Sequence, residues 1–156
     1  MTDRPESRRT FLGSVASLGA GAVLSSDASA QTSYAVNEPS VVREIEALFA
    51  DYDRALRSND LATLNGFFLD SPLTVRFGNG ENLYGIAEIA AYRASVSTAP
   101  NVVREHTVIT TYGNDIGIVA TRNVPSGGRV GRTMQTWVRF PQGWRIVAAH
   151  VSTITE

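Results

Sequence analysis

The sequence has no cysteine, no lysine and only two histidines, His106 and His150. Without cysteine there is no thiol nucleophile, no disulfide and no cysteine-ligated metal. Without lysine, Schiff-base and lysine-base mechanisms are excluded, and all 14 basic residues are arginine. Two histidines are too few for a three-histidine zinc site, although either can join carboxylates around a metal. A G-x-S-x-G elbow, a P-loop and a G-x-G-x-x-G turn are also missing. Nothing in the pattern calls for a metal or a cofactor.

What is present suits one globular domain with a real core: 156 residues, 43% of them hydrophobic, with a mean hydropathy of −0.07. The formal net charge is −1, with no basic block and no acidic tail. Nucleic acid and anionic membrane surfaces are therefore not expected partners, which leaves small molecules or proteins.

Residues 1–30 have the pattern of an export signal. Arg8-Arg9 stand directly before a weakly apolar segment that runs to Leu24, and Ala28-Ser29-Ala30 offers the small residues a signal peptidase accepts. The apolar run is too short to span a membrane. The pattern resembles twin-arginine signals, which implies a periplasmic mature chain beginning at Gln31 and no membrane attachment after cleavage. Residues 31–39 form a polar lead, and the fold is expected over 40–156.

From Ser40, taken as an N-cap, Val41, Ile45, Leu48, Phe49, Tyr52, Ala55 and Leu56 recur at three- and four-residue steps, with Asp51, Asp53 and Arg54 outside the stripe. A second, shorter helix carries Leu61, Leu64, Phe67 and Phe68, capped by Asn59 or Asp60. A hairpin then turns at Gly78-Asn79-Gly80, with Val75 and Phe77 on one face and Thr74 and Arg76 on the other. Ile86, Ile89, Ala90 and Tyr92-Arg93 predict a third helix over about 85–96. Four strands follow, at Glu105–Tyr112, Ile116–Asn123, Arg129–Phe140 and Trp144–Thr153, the last two forming the middle of the sheet. Helices first and antiparallel strands last give an α+β fold.

The order of elements, together with Tyr52-Asp53-Arg54-Ala55-Leu56, Thr74-Val75-Arg76-Phe77-Gly78, Glu81-Asn82-Leu83-Tyr84-Gly85 and Gln135 to Pro141 with Gly143 to Ser152, resembles the SnoaL-like proteins of the nuclear transport factor 2-like superfamily. Within it the chain is most similar to the AtzH-like group, which includes the oxalurate-catabolism protein HpxZ. The resemblance implies a cone in which three N-terminal helices pack on a curved, mostly antiparallel sheet around an open pocket. It also implies catabolism of small carboxylated ureas or oxalurate-type amides, by a decarboxylating amidohydrolase in at least one branch. The tyrosine and arginine linked to that activity fall on Tyr52 and Arg76. Pairing of copies through the outer sheet face, marked by Trp137 or Trp144, is a further implication.

The residues themselves agree in one respect. A tyrosine on the core face of a helix and an arginine on one face of a strand meet only inside the fold, where the hydroxyl needs a partner and the guanidinium offers a planar fork for a carboxylate. Tyr52 is then either a substrate-positioning group or an ordinary core tyrosine, and Arg76 either an anchor or an outer-face residue. His150 is a second candidate for substrate binding, or else a structurally satisfied strand histidine. Gln135 is a pocket group or a solvent-side one. Glu81 is read as solvated, His106 with Glu105 as a surface pair, and Tyr84 as closing the core. The expected function is hydrolysis of a small carboxylated amide or urea. A non-catalytic carboxylate-binding module is the alternative, and a SnoaL-like isomerase or cyclase, which needs an inward carboxylate base, is a further one.

Overall fold

The computed structural model describes residues 34–124 and 128–155. The export signal expected over residues 1–30 lies outside the described residues. Three helices, α1 (Pro39–Ser58), α2 (Leu61–Gly66) and α3 (Gly85–Ser95), accompany six strands: β1 (Val75–Phe77), β2 (Asn82–Tyr84), β3 (Arg104–Tyr112), β4 (Ile116–Asn123), β5 (Arg129–Phe140) and β6 (Gly143–Thr155). The strands form one sheet in the order β2-β1-β6-β5-β4-β3. As expected, β5 and β6 are central. All pairings are antiparallel except β1 with β6.

Helix α1 opens two residues earlier than the Ser40 cap predicts, with Glu38 as its N-cap, because Pro39 occupies its first turn, where a missing N–H costs nothing. Its apolar stripe behaves as read: Val41, Ile45, Phe49, Tyr52 and Ala55 are buried. Burying side chains such as Ile45 and Phe49 stabilises by about 1.5–3 kcal/mol each. Gly117 on β4 lets the helix approach, since a Cβ there would lie 3.0 Å from the Ile45 side chain. Asn59 ends α1 in the left-handed conformation, and the Asp60 carboxylate caps α2 through the Thr63 N–H.

Each row of inward side chains runs across the sheet. One is Ile109–Val119–Gln135–Ala149–Arg76–Leu83, and its neighbour is Thr107–Thr121–Thr133–Val151. The alternation of β6 is interrupted: Trp137 pairs with Ile146 but Thr136 with Ala148, which leaves Val147 as an extra residue. Trp144 and Ile146 face the core before this bulge, Ala149 after it. The bulge therefore turns His150 to the outer face, where uninterrupted alternation from Ile146 would have kept it inside. Trp137 and Trp144, expected to mark the outer face, are both buried in the core instead. Two large rings are better removed from water, and the Trp144 indole finds an acceptor in Glu44 at 2.9 Å.

Candidate functional site

A cavity of about 220 Å³ lies on the inner side of the sheet, lined among others by Tyr52, Leu56, Arg76, Tyr92, Arg93, Arg104, Thr133 and Val151. Its volume falls below the roughly 300–1,000 Å³ typical of sites for drug-sized ligands, so it has room only for a compact molecule. α1 supplies Tyr52, β1 supplies Arg76, α3 supplies Tyr92 and Arg93, and β3 supplies Arg104. Tyr52 is fixed by aromatic neighbours, stacking on Phe49 with ring centroids 6.2 Å apart and meeting Phe67 edge-on at 5.8 Å. Arg76 stands on the inner face beside Ala149, whose methyl group leaves room for it.

The three guanidinium groups are held differently. Arg104 is engaged at all three nitrogens: it grips Asp53 of α1 through Nε and Nη2 at 3.0–3.3 Å, and its Nη1 donates to Asn123 at 2.9 Å and Thr133 at 3.1 Å. Its charge is thereby spent on tying α1 to β3, β4 and β5. Asp53, expected outside the buried stripe, is buried for this reason. Arg76 donates to Glu81 at 2.5 Å and lies 5.0 Å from the centre of the Tyr92 ring. Partial burial acts to raise the Glu81 carboxyl, but hydrogen bonds from Arg76, the Gly80 N–H and the Tyr92 hydroxyl, with the Arg76 charge, hold it below the usual carboxylate range. Gly78 makes room for this fold-back, since a Cβ there would collide with the Glu81 carboxylate.

Arg93 donates to the Asn65 side-chain oxygen at 3.0 Å and sits 4.6 Å from the centre of the Phe68 ring. Burial pulls it below arginine's usual range; the Tyr52 hydroxyl, also hydrogen-bonded to it, opposes this, and the nearby Arg76 charge reinforces it. A guanidinium only donates. Where the hydroxyl and guanidinium groups meet, the Tyr52 oxygen is therefore the acceptor, which leaves its O–H proton for another partner.

Of the four residues proposed from the sequence, Tyr52 and Arg76 share the cavity wall. His150 does not join them: it is exposed on the opposite face, in a row with Val108, Ala120, Met134 and Phe77. Gln135 is inward and 1% exposed, in the row of Arg76 with Ala149 between them, but it does not line the cavity. Its Oε1 accepts from the Trp137 indole at 3.1 Å, which directs Nε2 the other way, and that nitrogen has no partner. Glu81, expected to be solvated, is the partner of Arg76. Tyr84, expected in the core, is 59% exposed and rests edge-on against Phe77. Glu105 pairs with Arg122 rather than with His106.

Sequence reasoning missed Arg93 and Arg104 as site residues. Arg93 had a visible signal, a charge in the apolar stripe of Ile86, Ile89 and Ala90. Arg104 had none, because its partner Asp53 lies on a distant helix. No cluster of three or more His, Asp or Glu suited to a metal occurs among the described residues.

Known proteins agree with this architecture. A structure from Pectobacterium atrosepticum, of unknown function, is 47% identical over 77% of this chain and 95% of its own, with a TM-score of 0.74. A cystatin-like fold protein from Burkholderia xenovorans is 40% identical over 79% of this chain and 98% of its own, with a TM-score of 0.75. A nuclear transport factor 2-like superfamily protein from Salmonella enterica, 22% identical over 76% of this chain and 94% of its own with a TM-score of 0.61, shares the fold. No curated protein matches the chain. The AtzH-like family model matches residues 34–156, which takes in both helix α1 with Tyr52 and strand β1 with Arg76, and the chain belongs to the AtzH-like family.

Proposed function

We propose that this protein binds a compact carboxylated amide or urea in the Tyr52–Arg76 cavity and hydrolyses it. The observation that supports the reading is the convergence of a buried tyrosine hydroxyl and an arginine fork on one small cavity. Arg76 anchors the substrate carboxylate through guanidinium donors beyond the one given to Glu81. Tyr52, with Arg93 behind its oxygen, directs its O–H to the carbonyl oxygen of the scissile group. In hydrolysis water adds to the carbonyl carbon, the C–N bond breaks, and the leaving nitrogen takes the proton the water gives up. Tyr52 stabilises the oxygen that becomes negative on the way.

One observation favours a binding module without turnover. The cavity wall carries no Asp or Glu among the described residues, and Glu81 is engaged with Arg76. An isomerase of the carboxylate-base type has less support for the same reason. Ammonia and CO₂ release from oxalurate and from carboxylated ureas separates these readings. Turnover by the parent that falls at least about a hundredfold in Tyr52→Phe supports the hydrolase; tight binding without product supports the module.

We propose also that residues 1–30 direct export to the periplasm, for the twin arginines and the Ala28-Ser29-Ala30 site given above. Sequencing the N-terminus of the exported protein tests this: a start at Gln31 supports it, and an intact Met1 in the cytoplasm contradicts it.

A further inference from the structure

The cavity's charges do not cancel. Three guanidinium groups line it, and two carboxylates answer them, Asp53 on Arg104 and Glu81 on Arg76. Arg93 is only 7% exposed, yet its described partners, the Asn65 amide, the Tyr52 hydroxyl and the Phe68 ring, are all neutral. No carboxylate pairs with it among the described residues. Arginine does not give up its proton in a protein, so this charge is permanent. A buried cation without a counter-ion is unfavourable by itself and favours an anion placed beside it. Arg93 also lies close enough to Arg76 for the two to repel, so a single anion beside both relieves both.

We propose that Arg93 supplies the uncompensated charge that the ligand neutralises, and that the cavity therefore selects molecules carrying one carboxylate over those carrying two. The inference rests on the carboxylate-binding reading above and sharpens it from a carboxylated ligand to a monoanion. With Glu81 in place, a monoanion brings the five charged groups and the ligand to neutrality, whereas a dianion leaves one negative charge buried. Glu81 thus acts as a specificity-determining residue: it is a resident carboxylate that occupies the place a second ligand carboxylate would need.

The test is calorimetric titration of the full chain with two pairs of probes that share a skeleton and differ by one charge, oxamate against oxalate and malonamate against malonate. The parent is expected to prefer the monoanion of each pair by at least about tenfold. Glu81→Gln removes the negative charge that answers Arg76 and is expected to reverse that preference. Arg93→Gln is expected to weaken oxamate at least about tenfold, with Arg93→Lys retaining part of the affinity. Equal affinity for both members of each pair in the parent overturns the inference, as does a Glu81→Gln variant with the parent's preference. Should Arg93→Gln fail to fold, Glu81→Gln on the short hairpin decides alone. Preference for the monoanion without ammonia or CO₂ release upholds this inference and removes the hydrolase reading. Turnover without any charge preference does the opposite, and no binding of any probe removes both.

Discussion

The two faces of strand β5 put neighbouring residues into different chemistry. Inward, Thr133 accepts from Arg104, Gln135 is 1% exposed, and Trp137 is fully buried. Outward, Met134 is 52% exposed and shares an open hollow of about 420 Å³ with His106, Val108, Arg132, His150 and Ser152. Inside, most polar groups are matched to partners, several from distant elements, because an unmatched one there is costly, and the Thr111 hydroxyl and the Gln135 Nε2 are exceptions. Outside, water satisfies whatever the fold does not, and an exposed histidine needs no partner. The proposed specificity for a small anion would therefore belong to the inner face, where, among the described residues, one guanidinium has no carboxylate partner and one amide nitrogen no acceptor.

The largest effect is expected where that matching is tightest. Arg104→Met strands Asp53 as a buried, uncompensated carboxylate and should cost about 3–5 kcal/mol of stability, measured by chemical denaturation. Replacing both partners, Asp53→Leu with Arg104→Met, should restore much of the loss. Next comes Tyr52→Phe, which removes an acceptor from a buried guanidinium and is expected to cost about 1–3 kcal/mol while leaving the ring packing against Phe49 and Phe67 in place.

A smaller effect distinguishes Glu81. Its carboxyl is held below its ordinary value of 4.5 in the fold, so its pairing with Arg76 contributes fully above that value and is lost as pH falls through the lower, folded-state value. The stability difference between the parent and Glu81→Gln should accordingly be constant near neutrality and shrink in acid. A difference that does not change with pH would show that the pair is not formed. The smallest effect belongs to the outer face: His150→Ala should alter stability by no more than about 0.5 kcal/mol and leave carboxylate affinity unchanged. A marked loss of affinity in that variant would erase the distinction between the faces.

Much of the fold was legible in the sequence because its signals are local. The α1 stripe, the Asp60 cap, the turn at Gly78-Asn79-Gly80, and the strand limits of β4 and β5 each depend on residues within a few positions of one another. Tyr52 and Arg76 came to the same cavity wall from the family resemblance, because strand alternation opposes Arg76 to Val75 and Phe77 without saying which side faces inward.

What escaped depends on contacts between distant segments or on a single irregularity. Whether Asp53 is inside cannot be read from α1, because only Arg104 makes its burial tolerable. Strand alternation misplaces His150 because Val147 shifts the phase of β6, and no residue nearby announces a bulge. Glu81 reads as a hairpin-tip acid until Arg76 and Gly78 show why it folds back. Tyr84 reads as core, yet it ends β2, an edge strand, where a ring can rest on Phe77 and stay in water.

Carboxylate anchoring by Arg76 on the inner face is open to one decisive experiment. Thermal unfolding of the full chain with and without oxamate, beside Arg76→Ala and His150→Ala, tests it most directly. Oxamate is expected to raise the midpoint of the parent and of His150→Ala but not of Arg76→Ala. An equal rise in Arg76→Ala, or a rise that His150→Ala alone abolishes, would contradict it.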